Sequence, residues 1–83
     1  MDKRIGVVGI VVEDTESVGQ LNTVLHEYAE IIVGRMGIPY REKGVSVISL
    51  IVDGSNDEIS AMTGKLGRIK NVSVKSALSK SSV

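Results

Sequence analysis

The chain has 83 residues, no cysteine, one histidine and ten basic residues against ten acidic ones, so its formal net charge is zero. Its length predicts a single domain over residues 1–83, with an ordered core over about 3–80. The missing thiols exclude disulfides and thiolate metal ligands, and one histidine is too few for a poly-histidine site. The balanced charge argues against direct binding of nucleic acid.

No apolar run approaches the roughly 20 residues that cross a bilayer, which predicts that the chain does not contact a membrane. The start, MDKRIGVV, lacks the apolar stretch of a signal peptide. The sequence therefore predicts a cytoplasmic location.

Two segments at the start predict a strand and then a helix. Residues 4–12 form a nearly continuous apolar run, so both faces of a strand at this place are apolar, which is typical of a central strand. Residues 17–33 place apolar side chains at steps of three and four, as an amphipathic helix does. We expect Asp14 or Thr15 to cap the start of this helix and Gly34 to cap its end.

The second half repeats this order after a hairpin. Residues 35–53 predict a hairpin whose first strand lies at a sheet edge, because it contains Pro39. Ser55 and Glu58 have the spacing of a capping box, and helical periodicity follows them. Residues 72–78 alternate as a half-exposed strand does, and we expect residues 79–83 to fray.

The resulting order predicts an α+β fold: a ferredoxin-like βαββαβ sandwich, with an antiparallel sheet and two helices on one face. Both faces of the strands at 4–12 and 45–53 are apolar, whereas two helices cover only one face. We therefore predict a homo-oligomer, a dimer or a dimer of dimers, that buries the open sheet face.

Acidic residues cluster after each of the two central strands, and we expect both clusters at the same end of the sheet. These carboxylates either cap the two helices or bind a hard cation such as Mg²⁺. The set is Glu13, Asp14, Glu16, Asp53, Asp57 and Glu58.

No catalytic constellation is recognisable. Gly64–Lys65 lacks the other residues of a P-loop. His26 has no second histidine or cysteine to complete a metal site, so we interpret it as a surface or subunit-interface residue. Without a nucleophile–base pair, the inventory predicts a protein that is not an enzyme and that holds no cofactor.

A ligand site is predicted at a subunit boundary, around the loop that begins at Asp14 and Thr15 and the first turn of the helix. Gly19 leaves room for a ligand to approach the backbone, and Asn22 offers a donor and an acceptor. A zwitterion whose amine pairs with Asp14 suits this pattern. The alternative is that Gly19 provides space for helix packing and Asn22 is solvated surface.

The segment VEDTESVGQLNTVL resembles the first loop and helix of ACT domains, which are small-molecule-sensing βαββαβ modules. Asp14, Gly19, Leu21 and Val24 match that pattern, whereas Val18 replaces the usual proline. The resemblance implies a ligand-responsive regulator.

Over residues 3–80, segments such as KRIGVVGIVVED and GVSVISLIVDG resemble the iron-only hydrogenase system regulators. These small bacterial proteins are similar in fold to the C-terminal domain of the nickel-responsive repressor. The repressor's histidine- and cysteine-rich nickel site does not carry over, and no DNA-binding arm precedes the strand at Arg4. Two functions stay open: a small-molecule-sensing oligomer, or a structural or assembly partner that binds another protein and no metabolite.

Overall fold

A computed structural model of the chain describes residues 3–83 as one four-stranded sheet with two helices. The sheet order is β2-β3-β1-β4, and all neighbouring strands are antiparallel. This arrangement confirms the predicted ferredoxin-like fold. The elements in chain order are β1 Lys3–Val12, α1 Val18–Glu27, β2 Ile32–Tyr40, β3 Val45–Ser55, α2 Asn56–Gly67 and β4 Val72–Leu78.

The core lies between the helices and one face of the sheet. The even-numbered apolar residues of β1 point into it, and their β-branched side chains fit the pleated surface of a central strand. Burying each such side chain contributes about 1.5–3 kcal/mol before the entropy of ordering is counted. The fully buried members from sheet and helices include Val8, Ile10, Leu50, Val52, Leu21, Ile59, Met62 and Leu66.

The opposite face of the sheet is apolar and exposed, as the sequence predicts for both central strands. The register sets Val7 beside Ile51 and Val11 beside Val47, all at 37–45% exposure. β2 extends the patch with Ile38, which lies beside Val47 and is 57% exposed. We define the open face by its apolar members Ile5, Val7, Val11, Val47, Ile51, Met36, Ile38 and Tyr40.

The first helix is shorter than predicted. α1 stops at Glu27, Tyr28 leaves helical geometry at φ −110° and ψ 21°, and a 3₁₀ turn leads into β2. The predicted end at residue 33 is therefore wrong, and Gly34 is a strand residue beside a β-bulge instead of a helix cap. Residues 31–33 are Ile, Ile and Val, whose branched side chains suit a strand better than a helix end.

The predicted capping box of α2 is confirmed. The Ser55 hydroxyl accepts a hydrogen bond from the Glu58 amide at 3.1 Å, and the Ser55 amide donates to Glu58 Oε1 at 2.9 Å. The turn before β3 ends at Gly44, whose φ of +67° is the left-handed conformation that glycine adopts at little cost. Both features fix where β3 begins and ends.

The residues that follow β4 form hydrogen bonds with the start of β1. The Ser79 amide donates to the Ile5 carbonyl at 2.8 Å, and the Val83 amide donates to the Lys3 carbonyl at 3.0 Å. The Arg4 guanidinium also donates to the carbonyls of Ser79 and Lys80. These contacts prolong the pairing of the last strand with β1.

Candidate functional site

The two acidic clusters lie at opposite ends of the sheet. β1 and β3 are antiparallel, with Lys3 opposite Ser55 and Val12 opposite Ser46, so the strand ends that lead into the helices point in opposite directions. The prediction of a shared end is therefore wrong, and a cation site that joins both clusters is excluded. Among residues 3–83, no three His, Cys, Asp or Glu side chains converge as metal ligands would.

Each acidic cluster instead serves its own helix. Asp14 Oδ1 accepts a hydrogen bond from the Glu16 amide at 3.0 Å and so caps the short 3₁₀ turn before α1. Glu58 receives the Ser55 amide in the capping box, and this hydrogen bond lowers the pKa of the Glu58 carboxyl. Asp14 thus caps the 3₁₀ turn and not α1 itself, whose N-cap position is Ser17 without a side-chain hydrogen bond. Among these carboxylates, Asp14 and Glu58 act as caps.

The four predicted ligand residues lie along the first turns of this segment. Thr15 is exposed, and Asp14 is partly buried by its capping role. Gly19 lies on the exposed side of α1, and no atom lies within 4 Å of the position where its Cβ would be. Gly19 therefore does not provide packing space against another element of this chain, and its surface is open to solvent.

Of the four predicted ligand residues, Asn22 contacts a charged side chain from another element of the fold. Its Oδ1 accepts a hydrogen bond from the guanidinium of Arg35, which comes from the edge strand β2. The distance of 3.5 Å is at the long end for a hydrogen bond, so the contact is weak. Asn22 and Arg35 form a pair that joins α1 to the sheet edge.

Two open clefts meet at this pair. The larger, of about 460 Å³, runs along the second half of α1 and the start of β2; its lining is Asn22, Leu25, His26, Ala29, Ile32, Val33, Gly34 and Arg35. We call it the Arg35 cleft. The smaller, of about 160 Å³, runs toward the end of β2; its lining is Val18, Asn22, Arg35, Gly37, Ile38, Pro39, Ser46 and Ile48.

Sequence reasoning missed Arg35 because it was assigned only to a hairpin strand. The signal in the sequence is an arginine in an edge strand two residues before Gly37, which lies on the same face of the strand and lines the smaller cleft. His26 is exposed and lines the same cleft, which agrees with its interpretation as a surface residue.

A third cavity, of about 480 Å³, shares His26 and Ala29 with the Arg35 cleft and is acidic, since it also contains Glu27, Glu30 and Glu58. Glu27 forms an ion pair with Lys65 of α2 at 3.2 Å, and the Lys65 ammonium also lies 5.3 Å from the centre of the Tyr28 ring. The hydrogen bond to Glu27 raises the pKa of Lys65. Both partners are about half exposed, so this contact adds little stability.

Solved structures show that the chain has an ACT-like fold. An ACT domain from the GTP pyrophosphokinase of Chlorobium tepidum has 16% identity and a TM-score of 0.73, over 93% of this chain and all of that one. A formyltetrahydrofolate deformylase from Pseudomonas putida KT2440 has 9% identity and a TM-score of 0.63, over 88% of this chain and 28% of that one. At these identities the similarity concerns the fold alone.

The particular family follows from closer similarity. The uncharacterized protein TM1266 from Thermotoga maritima has 41% identity and a TM-score of 0.91, over 95% of this chain and all of that one. The TM1266-like family of iron-only hydrogenase system regulators matches residues 4–76. The chain belongs to this family, as its resemblance in sequence predicts. No curated protein matches it, and no helix within residues 3–83 is long and apolar enough to span a bilayer.

Proposed function

We propose that this protein is a regulatory module of the iron-only hydrogenase system that senses a small molecule as an oligomer. The observation that carries the proposal is the pair Asn22–Arg35, which stands between two open clefts at the sheet edge. A single weak hydrogen bond joins the Arg35 guanidinium to the Asn22 side chain. A ligand therefore replaces this bond at a small cost in free energy. Exposed Gly19 lies one turn before Asn22 and leaves the approach open.

The open face supports the oligomeric part of the proposal. Three strands carry the open face, and strands about 4.8 Å apart that pair over about seven residues give it a footprint on the order of 300 Å². An apolar patch of this size is often an interaction site. Its exposed Val and Ile side chains are those of a domain core, as in obligate homodimer interfaces, and a second copy of the chain is therefore the occupant that we propose.

A thermal-shift screen of amino acids, nucleotides and metal ions tests the sensing function. A ligand at a hundredfold excess over its Kd stabilises the folded state by about 2.7 kcal/mol, which raises the melting temperature measurably. We expect at least one metabolite to give such a shift with the wild-type protein.

Two glycine variants locate the predicted site. Gly19→Leu is expected to abolish the ligand-induced shift by filling the approach to Asn22. Gly64→Leu is the matched control, because Gly64 is also a helical glycine with no atom within 4 Å of its Cβ position, but on α2. At both positions the Cβ of the new side chain points into open space. If Gly19→Leu binds the ligand as wild type does, the ligand site does not lie at the start of α1.

The second candidate function is that of an assembly partner without a metabolite, and the exposed open face is the observation that favours it. It predicts no hit in the screen and specific retention of one partner protein on immobilised wild-type chain. That retention is lost when Ile51 on the open face is replaced by lysine. An empty screen together with partner retention that Ile51→Lys abolishes would refute the sensing function and support the assembly function.

A further inference from the structure

We infer that the Arg35 cleft binds a small carboxylate with a short apolar body and without an amine. This inference rests on the proposed sensing function and deepens it by naming the class of ligand.

The cleft exists because the backbone leaves room between α1 and the edge strand. α1 ends at Glu27, and the register of β2 shifts between Ile32 and Gly34 where the chain enters the sheet. Gly34 lines this cleft through its backbone, because its pairing with Ile51 places it on the open face of the sheet. The volume of about 460 Å³ is within the range of about 300–1,000 Å³ that is usual for small-molecule sites.

The charge of the lining selects an anion. Its polar side chains are Asn22, His26 and Arg35, and none of its residues is acidic. Arg35 has no carboxylate partner among residues 3–83, where the ion pair that forms joins Lys65 to Glu27. A guanidinium binds a carboxylate through two parallel hydrogen bonds, which are stronger than bonds between neutral groups.

The neighbouring acidic cavity sharpens this selection. It shares His26 and Ala29 with the Arg35 cleft and carries Glu27, Glu30 and Glu58, so an anion meets repulsion there. The Arg35 cleft, in contrast, offers no acidic side chain to an ammonium group, so a zwitterion cannot pair its amine there. A carboxylate without an amine therefore suits the lining of this cleft better than the zwitterion that the sequence suggests for Asp14.

The rest of the lining is apolar and matches a short hydrocarbon body. Leu25, Ala29, Ile32 and Val33 supply this surface, and Val33 is 68% exposed. Contact with these side chains removes apolar area from water on both partners. The site thus has one charged contact that orients the ligand and an apolar wall that distinguishes it from inorganic anions.

NMR titration of ¹⁵N-labelled wild-type protein tests the inference with four probes. 4-Methylpentanoate carries the required carboxylate and apolar body, 4-methylpentanamide is its neutral analogue, L-leucine adds the amine, and inorganic phosphate is an anion without an apolar body. We expect 4-methylpentanoate to shift the amide signals of Gly34 and Arg35. The other three probes are expected to bind at least tenfold more weakly.

Two variants with the same loss of charge complete the test. Arg35→Gln is expected to weaken 4-methylpentanoate binding by about tenfold to a hundredfold, which is the range for one charged hydrogen-bonding group. Arg41→Gln, in the exposed turn after β2, is expected to bind as wild type does. Arg35 is itself exposed, so its replacement leaves the core intact.

Three results would overturn the inference: no shifts with 4-methylpentanoate, equal binding by any of the other three probes, or unchanged binding by Arg35→Gln. The sensing function is judged separately. A metabolite from the thermal-shift screen that stabilises Arg35→Gln as much as wild type would refute the Arg35 cleft and leave the sensing function standing.

Discussion

Replacing Gly6 with alanine tests the packing of β1 against the last strand. A Cβ at this position would collide with Leu78 Cδ2 and would lie 2.9 Å from the carbonyl oxygen of Ala77. The leucine tip can rotate away, but the carbonyl belongs to the backbone of β4, which is paired with β1 at Gly6. The strands must therefore move apart, or the new methyl group stays strained.

Overpacking of this kind costs about 1–3 kcal/mol. For a domain of this size each kcal/mol lowers the melting temperature by about 4–8 °C, so we expect Gly6→Ala to melt roughly 5–20 °C below wild type. Urea melts of the same protein give the change in unfolding free energy directly.

Gly37→Ala is the matched control for this prediction. Gly37 is also a strand glycine on the helix side of the sheet, but its nearest neighbour to a Cβ, Ile48 Cγ1, is at an ordinary 3.6 Å. Its unfolding free energy is expected to stay within about 0.5 kcal/mol of wild type or to rise slightly, because alanine restricts the unfolded chain. Equal stabilities of Gly6→Ala and Gly37→Ala would refute the register of β1 with β4.

The remaining predictions concern the cap, the open face and metal ions. Ser55→Ala should lose about 1 kcal/mol in urea melts, whereas Ser60→Ala on the exposed side of α2 should lose none. The lowered pKa of Glu58 stabilises the fold above the usual glutamate pKa, so the stability difference between wild type and Glu58→Gln should vanish as the pH falls through the folded-state pKa. Ile51→Lys should give a monomer by light scattering at micromolar concentration, whereas Ala61→Lys should keep the wild-type mass. Calorimetry with Ni²⁺ and Zn²⁺ on untagged protein should show no submicromolar binding, and such binding would reveal a ligand set shared between subunits.

The fold could be predicted because local periodicity and topology agree. Apolar runs of period two and stripes of helical period alternate in one order, and right-handed crossovers leave few ways to assemble them. The open face also followed from sequence, since Val7 and Ile51 are apolar although the helices lie on the other side.

The boundary between α1 and β2 could not be predicted from the same signals. Residues 28–33 fit the apolar stripe of a helix as well as they fit an edge strand, and the choice depends on pairing with β3 across a bulge. The Arg35 cleft depends on that boundary, so the cleft could not be predicted from the sequence, whereas Asn22 was predicted as a ligand residue. The separation of the acidic clusters, in contrast, follows from strand direction alone and could have been predicted from the sequence.

Native mass spectrometry tests oligomerisation and sensing together, because one spectrum reports both subunit number and bound small molecules. Spectra of untagged protein at micromolar concentration are recorded for two samples, one with a metabolite extract and one without it. We expect an even-numbered oligomer that gains a defined small-molecule mass in the extract. A monomer that gains no mass under the same conditions would contradict both the oligomer and the sensing function.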